Sequence, residues 1–263
     1  MSRLIHRAAG WSGAGVLVLM AIGFVGLARF FPPPSPALSA EQTASFIIGH
    51  ATLIRWGMIL TMIAAALLGI FAVSIAVQMR RIEGRYPILS MTEFGLGMLF
   101  VLEFLYLLFF WQTATFRADR DPKLVELLND MAWIPFVGLT GTAAVQVACF
   151  GVAILIDRRA APLFPRWLGY CNLWVALIFC AGTFNVFFKS GPLAWNGILA
   201  WWLPVIVFAV WLIVVTIYLR KAIESDIDEA DTGTNPSNAE LAVQVGELQG
   251  QLRQLLSQTS PKP

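Results

Sequence analysis

The run from Ile88 to Trp111, ILSMTEFGLGMLFVLEFLYLLFFW, constrains the fold more than any other stretch. At 1.5 Å of rise per residue it crosses a hydrocarbon core of about 30 Å. It nevertheless carries an acid, Glu103, about 12 Å in from Trp111 and so near the midplane. A carboxylate at that level costs about 2.5–3.5 kcal/mol on insertion scales unless something compensates it.

Composition points the same way. The chain is 58% hydrophobic and only 13% charged, where a soluble domain carries about 25% charged residues. A formal charge of +2, with no basic-aromatic cluster, argues against nucleic acid as a partner. Cys149, Cys171 and Cys180 all lie in apolar runs without CxxC spacing, so neither disulfide nor zinc chemistry is expected. With only His6 and His50, no cofactor and no metal site are expected. No Walker A loop, GxSxG elbow or HExxH pair is present, and the Asp119–Asp121 turn lacks the rest of a calcium loop.

The hydropathy pattern predicts an all-α integral membrane protein with six transmembrane helices in one bundle. The spans are expected near 11–30, 56–78, 88–112, 132–156, 167–188 and 195–219, within a membrane domain of residues 1–221. The basic leader and the run from Trp11 to Leu27 resemble a secretory signal, with Ala37-Leu38-Ser39 as a weak cleavage site. That run exceeds the usual h-region, so it is read as a retained span. Short interfacial helices are expected on the outer side. One opens at Ser39, where Gln42 completes a capping box. Another opens at Asp121-Pro122 and presents Leu124, Leu127, Leu128 and Met131 on one face. Trp11, Trp56, Trp111, Trp133, Trp167 and Trp195 read as an aromatic belt at the span ends.

Basic residues set the orientation. With the N-terminus inside, ten Lys and Arg fall on the inner side, among them Arg80, Arg81, Arg158, Arg159 and Arg220, against six outside. Both termini are therefore expected in the cytoplasm of a plasma (inner) membrane protein. Residues 222–263 form an acidic linker and a tail in which Ser237 and Glu240 make a capping box. Leu241, Val245, Leu248, Leu252 and Leu255 then follow coiled-coil spacing. Two readings stay open for this cytoplasmic amphipathic helix. It is either a partly disordered tail or, through residues 237–257, a contact for a second copy or a partner membrane protein.

Glu103 is the polar residue that most demands an explanation. Pro204 lies at a similar depth in the sixth span, where it is expected to kink the helix and free the Ala200 carbonyl. Thr142 shares that level in the fourth. Arg55 lies about 12 Å further out, too far to pair comfortably. Glu93 lies about 15 Å further in, where it is expected to reach the interface. Thr142, Gln146 and Cys149 share one helix face, as do Asn172 and Thr183. Together with the small-residue pairs Ala65/Gly69 and Ala144/Ala148, these read most simply as glue between helices.

The candidate ligand-binding set is Glu103, Tyr106, Thr142, Trp201, Trp202 and Pro204, with no catalytic residues assigned. It fits a small transporter or ligand-handling protein whose compound is apolar or amphipathic, with membrane lipids as the other partner. A different reading is a non-catalytic scaffold or accessory subunit docking through the C-terminal helix. An enzyme using Glu103 as a general acid is the weakest reading, since no second catalytic group stands beside it.

Overall fold

The computed structural model describes residues 2–138, 140–231, 243, 245–249 and 251. Every secondary-structure element among them is helical. Two compact units divide at residues 222 and 223. Of the expected tail seam, Val245 and Leu248 are helical and exposed, while Leu241, Leu252 and Leu255 lie outside the described residues.

Six helices are long and apolar enough to cross a membrane: Arg3–Leu27, Ala51–Glu83, Ile88–Phe116, Pro122–Ile156, Arg166–Phe187 and Ile198–Glu229. This architecture is compatible with a multi-pass membrane protein. Span one is built from α1 (Ser2–Ala9), α2 (Ser12–Met20) and a π-helical segment, Ala21–Leu27. It starts within the basic leader. It ends where Arg29 takes a left-handed φ of 56°. The helix α3 (Ala40–Gly49) carries the capping box: Ser39 accepts from the Gln42 amide, and Gln42 accepts from the Ser39 amide. Spans two and three are the unbroken helices α4 (Ala51–Glu83) and α5 (Ile88–Phe116). Glu83 caps α5 by accepting from the Leu89 and Ser90 amides at 2.7 and 2.6 Å.

Spans four to six are irregular, and here the expectations need correction. The Asp121-Pro122 helix is no separate interfacial element. It is α6 (Pro122–Gly138), which continues through Trp133 into the span. The interruption comes instead between Gly138 and the start of α7 (Gly141–Ile156). Pro135 cannot donate to the Met131 carbonyl, which weakens the last turn of α6. Span five begins as α8 (Arg166–Phe179) and tightens into a 3₁₀ segment, Cys180–Phe187. Span six opens with a π segment, Ile198–Trp202, before α9 (Leu203–Asp231). Pro204 is thus in the first turn of α9, where a missing N–H is tolerated. The wide turn absorbs the disturbance: the Leu203 amide donates back to the Ile198 carbonyl.

Glycines mark the closest helix crossings. A Cβ on Gly23 would lie 2.7 Å from the Gly57 carbonyl of span two. One on Gly151 would lie 2.9 Å from the Gly169 carbonyl of span five. Both backbone contacts are tighter than the surroundings of Gly69 in the Ala65/Gly69 pair. At Gly69 the nearest atom would be 3.5 Å away, an ordinary contact. Close backbone approach through small residues is the usual basis of packing between helices in lipid.

Three of the expected belt tryptophans turn inward. Trp111 and Trp133 are completely buried and Trp195 nearly so, while Trp11, Trp56 and Trp167 are exposed. Burial follows from company: Phe24, Phe30, Trp111, Trp133, Phe136 and Trp201 form one aromatic core.

Candidate functional site: an aromatic cavity above a buried acid

Phe24, on the π segment of span one, is the hub of this core. Its ring lies 5.1 Å from Phe136 in a stacked pair and 5.9 and 5.8 Å from Trp111 and Trp133 edge-on. Edge and offset contacts of this kind suit the ring quadrupole and add about 0.5–1.5 kcal/mol each beyond area burial. Hydrogen bonds anchor the frame. Trp111 Nε1 donates to Asn129 Oδ1 at 3.2 Å, and Trp195 Nε1 donates to the Pro34 carbonyl at 2.8 Å.

Beside the core is a cavity of about 340 Å³, within the usual size range of small-molecule sites. Its wall comes from spans one, three, four, five and six. It includes Met20, Phe24, Phe100, Phe104, Phe136, Phe179, Trp201 and Phe208. Thr140 supplies the one side-chain hydroxyl. Both π segments contribute, through Ala21, Phe24 and Val25 on one side and Ala200 and Trp201 on the other. The helix irregularities therefore shape the site.

The break in span four is held open by span five. Asn185, buried, donates through Nδ2 to the Ile134 carbonyl at 3.0 Å and to the Gly182 carbonyl at 2.8 Å. The hydroxyls of Thr140 and Thr183 lie 2.6 Å apart. At the interruption itself, the Gly138 carbonyl accepts from the Thr140 amide at 2.8 Å and from the Thr183 hydroxyl at 3.4 Å.

The expected site residues fall into two places. Trp201 and Pro204 line the cavity. Trp202 does not, but it packs edge-on at 4.9 Å against Phe31, which does. Glu103, Tyr106 and Thr142 are absent from the wall. Tyr106 is 61% exposed and packs on Phe110. Glu103 is paired with Thr142, whose Oγ1 donates to Glu103 Oε2 at 2.7 Å, and not with a carbonyl freed by Pro204. Arg55 is engaged elsewhere, donating to the carbonyl and hydroxyl oxygens of Thr115.

Glu93 was not expected inside the bundle. It is 1% exposed and does not reach for the interface. Gln146 Nε2 donates to its Oε1 at 3.0 Å, while Oε2 is buried without a partner. One helical turn along, Gly97 makes room: a Cβ there would sit 2.8 Å from Gln146 Nε2 and 2.7 Å from the Ala72 Cβ. A glycine four residues after an acid was the available signal, because it lets a neighbouring polar side chain lie across the helix. Span six is tied in by a similar device, with Trp211 Nε1 donating to Asn172 Oδ1 at 2.8 Å.

Among the described residues, no three His, Cys, Asp or Glu side chains come together in a way that could hold a metal ion. The chain matches no family model and shows no significant similarity to a curated protein or a solved structure.

Proposed function

We propose that this multi-pass membrane protein binds and handles an apolar or amphipathic compound within its helical bundle. The observation that carries this reading is the cavity of about 340 Å³, walled by aromatic and aliphatic side chains from five of the six spans. Such a surface gains most from an apolar occupant, since it offers many close contacts and few polar groups to leave unpaired. Met20, on the same wall, adds an adaptable side chain suited to irregular shapes. The proposed orientation places both termini in the cytoplasm, supported by the distribution of Lys and Arg.

In this reading Glu103 is a structural acid. Its bond to Thr142 ties span three to span four outside the cavity wall. The test is equilibrium binding of 1-naphthalenemethanol to the full chain in phosphatidylcholine nanodiscs, corrected for partition into empty discs. Saturable binding is expected, lost on filling the cavity with Ala200→Phe and retained in Glu103→Gln. Binding that survives cavity filling, or that disappears with Glu103→Gln in a folded protein, contradicts the proposal.

A further inference from the structure

The cavity has a small neighbour. Phe100, Ala143, Phe179 and Phe208 also border a second, much smaller void of about 20 Å³. That volume holds one water-sized group. Gln146 is the one lining residue of this void with a side-chain acceptor, and Gly97 forms part of its wall. Glu93 lies one helical turn beyond Gly97 and is joined to Gln146.

Glu93 is therefore a buried acid with one satisfied and one orphaned oxygen, joined through Gln146 to a void that shares four wall residues with the apolar cavity. Among the described residues no basic side chain pairs with it; its hydrogen-bond partner is Gln146. Two further titratable groups share its surroundings: Cys149 of α7 lies within electrostatic range of Glu93, and Glu83 at the end of α4 within range of Cys149. Neither supplies positive charge. A buried acid without a cationic partner is costly, and a ligand that brings the missing charge recovers that cost on binding.

Resting on the binding role proposed above, we infer that the occupant is an amphipathic amine. Its apolar body lies among the aromatic side chains, and its ammonium head enters the void beside Gln146 with Glu93 as counter-charge. The head meets two demands together: it is small enough for the void, and it brings a donor and a positive charge to the Gln146 side-chain oxygen and the Glu93 carboxylate. The aromatic residues common to the cavity and the void, Phe100, Phe179 and Phe208, also favour a cation over a neutral or anionic head.

The experiment compares two probes that differ only in the head, 1-naphthylmethylamine and 1-naphthalenemethanol. Both are measured on the full chain in phosphatidylcholine nanodiscs with correction for partition. The wild type is expected to bind the amine at least tenfold more tightly than the alcohol. Glu93→Gln is expected to abolish that preference, bringing amine and alcohol to equal affinity, and Gln146→Met to reduce it. Equal affinities in the wild type would overturn the inference, with Glu93 then carrying its own proton. An amine preference that persists in Glu93→Gln would overturn it as well. In both cases the alcohol still binds and the cavity reading stands; if neither probe binds the wild type, the cavity reading itself fails. The wild-type comparison needs no variant, so poor folding of a substituted protein does not remove the test.

Discussion

Thr142 donates to Glu103 at 2.7 Å, and one turn along the same helix Gln146 donates to Glu93 at 3.0 Å. The two bonds run across the same pair of spans yet serve different surroundings. Glu103 is only partly buried, whereas Glu93 is 1% exposed in the interior. Replacing Glu103 with Ala removes the acceptor for Thr142 and is expected to cost about 1 kcal/mol, the usual scale for such bonds between helices in lipid. Gln at 103 keeps an acceptor and should be nearly neutral. Thermal denaturation in detergent checks both, with probe binding unchanged.

Gly97 is expected to tolerate no side chain. A Cβ would press on both Gln146 Nε2 and the Ala72 Cβ. Gly97→Ala should destabilise by about 1–3 kcal/mol, as overpacking of a dense core does. Because Gln146 would be displaced, the variant should also bind the naphthyl amine more weakly. A fully stable variant with unaltered binding would show that the crossing is looser than the structure indicates.

Asn185→Ala leaves the Ile134 and Gly182 carbonyls without their shared donor at the break in span four. An unsatisfied buried acceptor costs about 1–3 kcal/mol. The melting temperature should fall accordingly. Exposed Leu124, on the same helix as Ile134, provides a contrast: Leu124→Ala should have little effect in detergent.

In the loop between spans four and five, Asp157 is buried and accepts from Arg159 at 2.9 and 2.7 Å and from the Leu163 amide at 3.1 Å. Burial opposes its ionisation, yet the hydrogen bonds from the Arg159 side chain and backbone and from the Leu163 amide outweigh it. The carboxyl is held below the ordinary aspartate range. A depressed carboxylate stabilises the fold above its unfolded value, about pH 4, and that stability is lost as pH falls through the lower folded value. Asp157→Asn should therefore destabilise by about 2 kcal/mol at pH 7. The difference from wild type should shrink as the pH falls below about 4.

The six spans were legible from hydropathy, because length and apolarity are local properties of the chain. So was the Ser39–Gln42 capping box, which needs only four residues. The identity of the interior acid was not. Depth arithmetic places a residue along the membrane normal but says nothing about the direction in which it faces. Glu93 and Glu103 are ten residues apart, which leaves them about 80° apart around the helix. Only the seating of span three against span four decides which faces inward. The aromatic core escaped for a related reason. Trp111 and Trp133 lie near predicted span ends, where exposed and buried tryptophans look alike in sequence. Pro204 was read by rule as a kink inside a helix. It proves to lie in the first turn after a π segment.

The most direct test of the central claim is to locate a heavy-atom probe. 1-Iodonaphthalene bound to the protein in nanodiscs should give a single strong density peak between spans one, three and six, against Phe24 and Trp201. Probe density confined to the lipid-facing surface, with the Phe24–Trp201 space closed by side chains, would contradict the account.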